Sequence, residues 1–171
     1  MKPVIMLLGD LTKTSLENVW REVERYNELT KNTDEITLVL ASGGGNAIKT
    51  LEFLARIEKT RFRFSAKIYQ AESAAALIAL TAKKREIVRG GIFKISLGWV
   101  EIETCDILDP EGQVPRRILL QAKQLRKKTF ELLRSCGFPE NGTLMQQLIT
   151  RNHLALTADE CLKLGIVERI I

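Results

Sequence analysis

Two segments of the sequence combine residue types that can build a site for acyl transfer. One is the strand-like run Val39–Ala41 followed by Ser42-Gly43-Gly44-Gly45, where glycines let backbone N–H groups point at an anion or a developing oxyanion. The other is Gln70-Ala71-Glu72 leading into Ser73, and several hydrolase folds place their nucleophile on such a strand-to-helix turn. A tight turn and an N-cap serine explain the same residues, so each segment alone is ambiguous.

His153 is the only histidine, and histidine is the residue type that most often acts as a general base. It follows Arg151 and Asn152 in a predicted loop, where a lone histidine is usually a surface residue. Three cysteines, Cys105, Cys136 and Cys161, are widely spaced and lack a C-x-x-C pair. They indicate reduced thiols in the cytoplasm and neither a disulfide framework nor a metal site, and no cofactor is predicted.

Alternating strands and helices must position these residues. Apolar runs predict strands over 4–8, 36–41, 66–69, 86–88, 92–97 and 167–171. Helical spacing predicts helices over 15–29, 46–57, 73–83, 116–135, 144–150 and 157–164, with a polar loop over 99–115. This alternation indicates one α/β domain over 1–171 with right-handed crossovers. The apolar runs are too short for a membrane span or a signal peptide.

The net charge of +5 is concentrated in one segment. Residues 116–134 hold seven basic residues and one acidic residue, 7 − 1 = +6, whereas the rest of the chain has 19 basic and 20 acidic residues, 19 − 20 = −1. An apolar stripe of helical period runs through the same segment at Ile118, Ala122, Leu125, Thr129, Leu132 and Leu133. The stripe favours an amphipathic packing helix over a nucleic-acid surface, and a nucleic-acid partner is not expected.

Three motifs in order give the chain a resemblance to the ClpP family, the proteolytic subunits of the Clp protease. Residues 38–45 resemble that family's strand ending in Ser-Pro-Gly-Gly, and 71–76 resemble the helix start with its catalytic serine. Residues 156–168 resemble its C-terminal helix and strand. The resemblance covers about 165 residues and implies a ClpP/crotonase-like α/β fold, a spiral of repeated β-β-α units with a protruding handle region over 99–136.

The resemblance carries some catalytic roles over and not others. Ser73 falls at the family's nucleophile, and Gly44 and Ala74 fall at the two backbone donors of its oxyanion hole. Ser96 stands where the family has its catalytic histidine. Asn152 or His153, depending on a one-residue gap, stands where the family has its aspartate. A serine without a base is a poor nucleophile.

Two interpretations therefore stay open. His153 reaches Ser73 through space left by the small Ser96, or Lys94 serves as the base, which gives a non-standard serine peptidase or hydrolase acting on peptides or unfolded proteins. Otherwise the protein is a scaffold or regulatory subunit without activity. The related crotonases imply acyl-thioester binding as a further alternative, although no carboxylate besides Glu72 supports it.

The resemblance also implies how the protein assembles. Family members form closed, symmetric rings, so a homo-oligomer of one ring or two stacked rings is expected. The family's handle helix joins two rings, and the basic segment aligns with it. The first predicted strand begins close to residue 1, so the axial loop with which the family docks its partner unfoldase is expected to be missing.

Overall fold

A computed structural model describes residues 3–29, 35–97, 116–138 and 142–171. Six strands form one sheet: β1 (Val4–Leu8), β2 (Glu35–Ser42), β3 (Arg63–Glu72), β4 (Lys84–Ser96), β5 (His153–Leu156) and β6 (Arg169–Ile170). The helices are α1 (Lys13–Leu29), α2 (Ala47–Lys59), α3 (Ala74–Thr81), α4 (Arg116–Ser135), α5 (Thr143–Arg151) and α6 (Ala158–Lys163). The predicted α/β class is confirmed.

The sheet places strands that follow each other in the chain side by side. Its order is β1-β2-β3-β4-β5, with β1 to β4 parallel and β5 antiparallel to β4. β6 pairs in parallel with the beginning of β4. Because β-α-β crossovers are right-handed and all step in one direction, α1, α2 and α3 lie on the same face of the sheet. Contacts of α2 with both α1 and α3 agree with this placement.

The core fills the space between the sheet and these helices. Alternate residues of β1, Ile5 and Leu7, are buried against the sheet's helical side, while Val4, Met6 and Leu8 are each more than half exposed. α3 is buried along its length from Ala74 to Leu80, as its alanine-rich composition predicted. Burial on every side fixes the position of this helix, and its N-terminal end follows Ser73 directly.

Three features differ from the sequence-based prediction. β3 begins at Arg63 rather than Ala66 because Phe62 and Phe64 point inward between exposed arginines, a strand alternation within a segment that reads as a basic linker. β4 is one strand through Gly90-Gly91, with a shift of register there. The predicted loop at His153 is the strand β5. The polar loop predicted over 99–115 lies outside the described residues.

The apolar stripe predicted for 116–135 is present on α4. Ile118, Leu125, Thr129, Leu132 and Leu133 are buried, and the helix contacts α2 and α3 of the same chain. Much of the stripe is thus used within the chain, while Lys123, Arg126 and Lys127 remain exposed. In the part of the chain that the structure describes, no helix is long and apolar enough to cross a membrane.

Candidate functional site

Ser73 occupies a strained turn between β3 and α3. Its backbone has φ 51° and ψ −117°, a conformation that residues other than glycine rarely adopt and that costs roughly 1–3 kcal/mol. Its N–H donates to the carbonyl oxygen of Lys94, 2.8 Å away, which ties the turn to β4. An N-cap serine has extended backbone and caps with its side chain, whereas the Ser73 side chain makes no capping hydrogen bond. Ser73 therefore does not have the geometry of a serine that caps a helix with its side chain.

The Ser73 hydroxyl is available to a ligand. Ser73 is half-buried, and within the described ranges its Oγ has no hydrogen-bond partner and is not among buried unsatisfied atoms, so it reaches solvent. A hydroxyl in this state can attack a bound carbonyl once a base accepts its proton. No described residue contacts Oγ as such a base.

Gly44 lies directly against Ser73. Its φ is +102°, and a Cβ at this position would come within 2.8 Å of the Glu72 carbonyl oxygen and 3.0 Å of the Ser73 Cβ. Only glycine permits this approach. The Gly44 N–H, however, donates to the Oγ of Ser42, 3.1 Å away in the buried floor of the loop. To serve an oxyanion, this N–H must therefore leave Ser42 or be shared with it.

Ala74 is the other residue to which the resemblance assigned a backbone donor. It is the first residue of α3, and the N–H groups of a helix's first turn have no acceptor within the helix. The positive end of the helix macrodipole also favours negative charge here. The Ala74 N–H thus follows the Ser73 hydroxyl by one residue, in the arrangement used by strand-turn-helix nucleophiles.

His153 lies opposite Ser96 on the neighbouring strand. The antiparallel register of β4 and β5 pairs Ser96 with His153 and Ile95 with Leu154. Residues directly opposite each other project on the same face, with Cβ atoms about 4.5–5.5 Å apart. Asn152 ends α5 in a left-handed conformation, φ 58°, so it precedes the strand. His153, rather than Asn152, is therefore the residue that faces Ser96.

Lys94 and Glu72 form an ion pair beside Ser73. The Lys94 Nζ lies 3.7 Å from Glu72 Oε2, and Gln70 Nε2 donates to Glu72 Oε1 at 2.7 Å. An ammonium group has no lone pair with which to accept a proton, and the Lys94 ammonium is engaged with Glu72. The contact argues against Lys94 as the base of a Ser–Lys pair.

The described residues contain no group of three or more His, Cys, Asp or Glu side chains that could hold a metal ion. Cys161 is fully buried, and burial raises the pKa of its thiol to about 12. A thiol in this state is neither a nucleophile nor a metal ligand at neutral pH. Cys136 is half-buried, and Cys105 lies outside the described residues.

The sequence assigned Ser73, Gly44 and Ala74 to one site, and the structure places them together. The sequence did not reveal that His153 is on a strand opposite Ser96, because β5 has only four residues, HLAL. The alternation within these four residues is a strand signal. It is too short to outweigh the polar residues before it, which indicate a loop. The contact between Ser42 and Gly44 had no sequence signal beyond the adjacency of the two residues.

Comparison with known proteins identifies the fold. No family model matches the sequence, and no curated protein matches it. Among solved structures, the chain is similar to a variant of ClpP1 from Listeria monocytogenes with a TM-score of 0.75 and 17% sequence identity. The match covers 98% of this chain and 90% of that one. The chain therefore has a ClpP-like fold, which confirms the resemblance seen in the sequence motifs at the level of the fold.

Proposed function

We propose that this protein is a non-standard serine hydrolase of the ClpP-like fold that cleaves acyl bonds in peptides. Ser73 is the nucleophile and His153 is its general base. The observation that carries the proposal is the strained backbone of Ser73, which the structure maintains although the side chain caps no helix. Strain of this kind is found at sites where it presents a reactive group.

The proposed reaction follows from the positions of these groups. His153 accepts the Ser73 Oγ proton across the space above the small Ser96 side chain, and Oγ bonds to the substrate carbonyl carbon. The negative charge on the carbonyl oxygen is held by the N–H groups of Ala74 and Gly44, the latter released by Ser42. The protonated His153 then gives its proton to the leaving amine, and water hydrolyses the acyl-enzyme with the same groups in reverse order.

A fluorophosphonate probe tests this proposal directly, since it phosphonylates activated serines. Labelling of the wild-type protein at Ser73, its loss in Ser73→Ala, and a decrease of about 10²-fold or more in His153→Gln are expected. The exposed α5 residue Gln146 provides a control, because Gln146→Ala leaves labelling unchanged. Labelling of Ser73 that His153→Gln leaves unaltered would show that another group is the base.

A catalytically inactive scaffold is the second candidate, and one observation favours it. In the described structure the Ser73 hydroxyl has no nitrogen partner, and the Gly44 N–H is engaged by Ser42. If no labelling of Ser73 occurs under conditions that label an ordinary serine hydrolase, this candidate remains. It predicts that Ser73→Ala and the wild type are alike in every property except the local strain.

Self-assembly in the cytoplasm is part of both candidates. The exposed Val4, Met6 and Leu8 on the edge strand β1 form an apolar row of the kind that association covers. Light scattering after size exclusion measures the assembly, and Met6→Glu is expected to shift it toward the monomer. The matched change Met145→Glu is unsuitable as a control because Met145 is buried, so Thr150→Glu on exposed α5 surface serves instead.

A further inference from the structure

A groove of about 590 Å³ opens at the end of β3 remote from Ser73. The end of α2, the beginning of β3, the α3-to-β4 connection and the end of α4 surround it. Its volume is within the range of about 300–1,000 Å³ typical of ligand clefts. The end of α3, which lines the groove, is eight residues or about 12 Å of helix from the Ser73 turn, and Ser73, Gly44, Ala74 and His153 are not among the lining residues. It is therefore separate from the proposed active site.

The groove joins an aromatic floor to a cationic rim. Phe62 and Phe64 are 5% and 3% exposed and line its base. The basic lining residues are Arg61, Arg63, Lys83 and Arg85. The Arg61 guanidinium lies over the Phe62 ring, 4.8 Å from its centroid, and its Nε donates to Asn27 Oδ1 at 2.8 Å. An anion entering the groove would meet positive charge above apolar surface.

Two of these cations have no anionic partner in the described part of the chain. Arg63 and Lys83 are exposed and form no ion pair with a described residue. Arg85 is half-buried, and its guanidinium is held by the carbonyl oxygens of Ile166 and Ala82, which fixes its orientation and leaves other N–H groups to donate. Among the described residues that line the groove, the one carboxylate is that of Glu58, and it is paired with Lys128 of α4.

Stabilisation of helix ends does not account for this arrangement. A cation near a helix C-terminus interacts favourably with the helix dipole, and Lys83, just after α3, fits that explanation. Arg63 and Arg85 lie on strands, where no such dipole acts. The arginine side chains surround one groove. They do not form a row along the surface of the kind that follows the phosphates of a nucleic acid.

We propose that this groove binds an acidic peptide segment of a partner protein, with carboxylates on the rim and an apolar side chain on the phenylalanine floor. Carboxylates match the planar donors of arginine, and an amphipathic acidic segment matches both parts of the groove. The site would hold a partner at a distance from Ser73. Binding there does not require that Ser73 be active.

The test uses a fluorescein-labelled peptide in which glutamate and phenylalanine alternate, titrated with the full chain and followed by fluorescence anisotropy. Saturable binding is expected. Arg63→Gln/Lys83→Gln is expected to weaken it about tenfold or more, since charged rim contacts are lost. The matched control Arg89→Gln/Lys163→Gln removes the same charge at exposed positions outside the groove and is expected to change the affinity less than about twofold.

Three results would overturn the proposal. One is the absence of saturable binding by the wild-type chain. Another is an equal loss in both double variants, which would show a response to net charge alone. The third is duplex DNA displacing the peptide at equal charge concentration, which would assign the groove to nucleic acid. A peptide with serine in place of phenylalanine is expected to bind less tightly. Equal affinity would show that Phe62 and Phe64 do not contribute to binding. Thermal unfolding of each variant verifies that it is folded.

Discussion

Placing a histidine at position 96 and an aspartate at position 153 is the sharpest test of the proposed Ser73 site. The double variant Ser96→His/His153→Asp exchanges two residues that already face each other across β4 and β5. Both positions lie on the sheet face away from the buried Ile95 and Leu154. The larger imidazole therefore projects toward the open face, where it displaces solvent rather than core residues.

The size of the gain follows from what a triad contributes. Loss of a single triad member from a serine hydrolase costs about 10⁴- to 10⁶-fold in rate, and a misplacement of about 1 Å costs about 10²-fold. The strained turn already presents the Ser73 hydroxyl, and Gly44 lies against it. We therefore expect the double variant to react with a fluorophosphonate about 10²- to 10⁴-fold faster than the wild type.

The assay is the rate of fluorophosphonate labelling, followed by hydrolysis of a chromogenic peptide ester. Ser73→Ala in the double-variant background provides the control and must abolish both signals. Ser96→His and His153→Asp alone separate the contributions of the two positions. A folded double variant that is labelled no faster than the wild type would refute the reasoning. It would show that a histidine at position 96 does not reach the Ser73 hydroxyl.

Three further predictions concern the loop, the thiols and the C-terminal helix. Gly44→Ala is expected to lower stability by about 2–3 kcal/mol and abolish labelling, because its φ is +102° and the new Cβ would lie 2.8 Å from a backbone oxygen. Denaturant unfolding measures the loss of stability, and an unchanged unfolding midpoint would contradict the prediction. Cys161, whose thiol pKa is raised to about 12 by burial, is expected to resist a maleimide at pH 8 in the folded protein while half-buried Cys136 reacts, as mass spectrometry would show. Thr157→Ala is expected to lower stability by about 1 kcal/mol. Because the Thr157 N–H and hydroxyl lower the pKa of Glu160, the stability that they add is present near neutral pH and is lost as the pH falls through that lowered pKa. A variant whose acid unfolding curve matched that of the wild type would contradict this.

The fold was largely predictable because its strands and helices have strong periodic patterns. The near-continuous apolar runs of β1 and β2 and the alanine-rich α3 each specify one kind of element. The bounds of β3 were less accessible, since inward Phe64 alternates with exposed Arg63 and charged residues at a strand's exposed end hide its pattern. The continuity of β4 through Gly91 depends on close packing: a Cβ there would meet the Ile87 side chain at 2.7 Å, which no local pattern encodes.

The candidate site was predictable where it is local in sequence and not where it depends on register. Ser73 and Ala74 are consecutive, so their relation needs only the turn. The pairing of Ser96 with His153 brings together residues that are separated in the chain by the whole of α4 and α5. The basic groove was hidden for a related reason. Its cations are divided between two short basic stretches around 61–63 and 83–85. Charge outside α4 was summed over the whole remaining chain, 19 − 20 = −1, and that total hides both stretches.

The pairing of β4 has a consequence for synthesis of the chain on the ribosome. β1, β2 and β3 each meet their next partner as soon as one further helix and strand have been made. The second edge of β4, in contrast, is completed only by β5 and β6, from residues 153–170. Until then a strand containing Ile87, Phe93 and Ile95 presents an open edge, the kind of surface on which nascent chains aggregate. Truncation within α5, which removes both β5 and β6, would therefore release an unprotected sheet rather than a smaller stable domain.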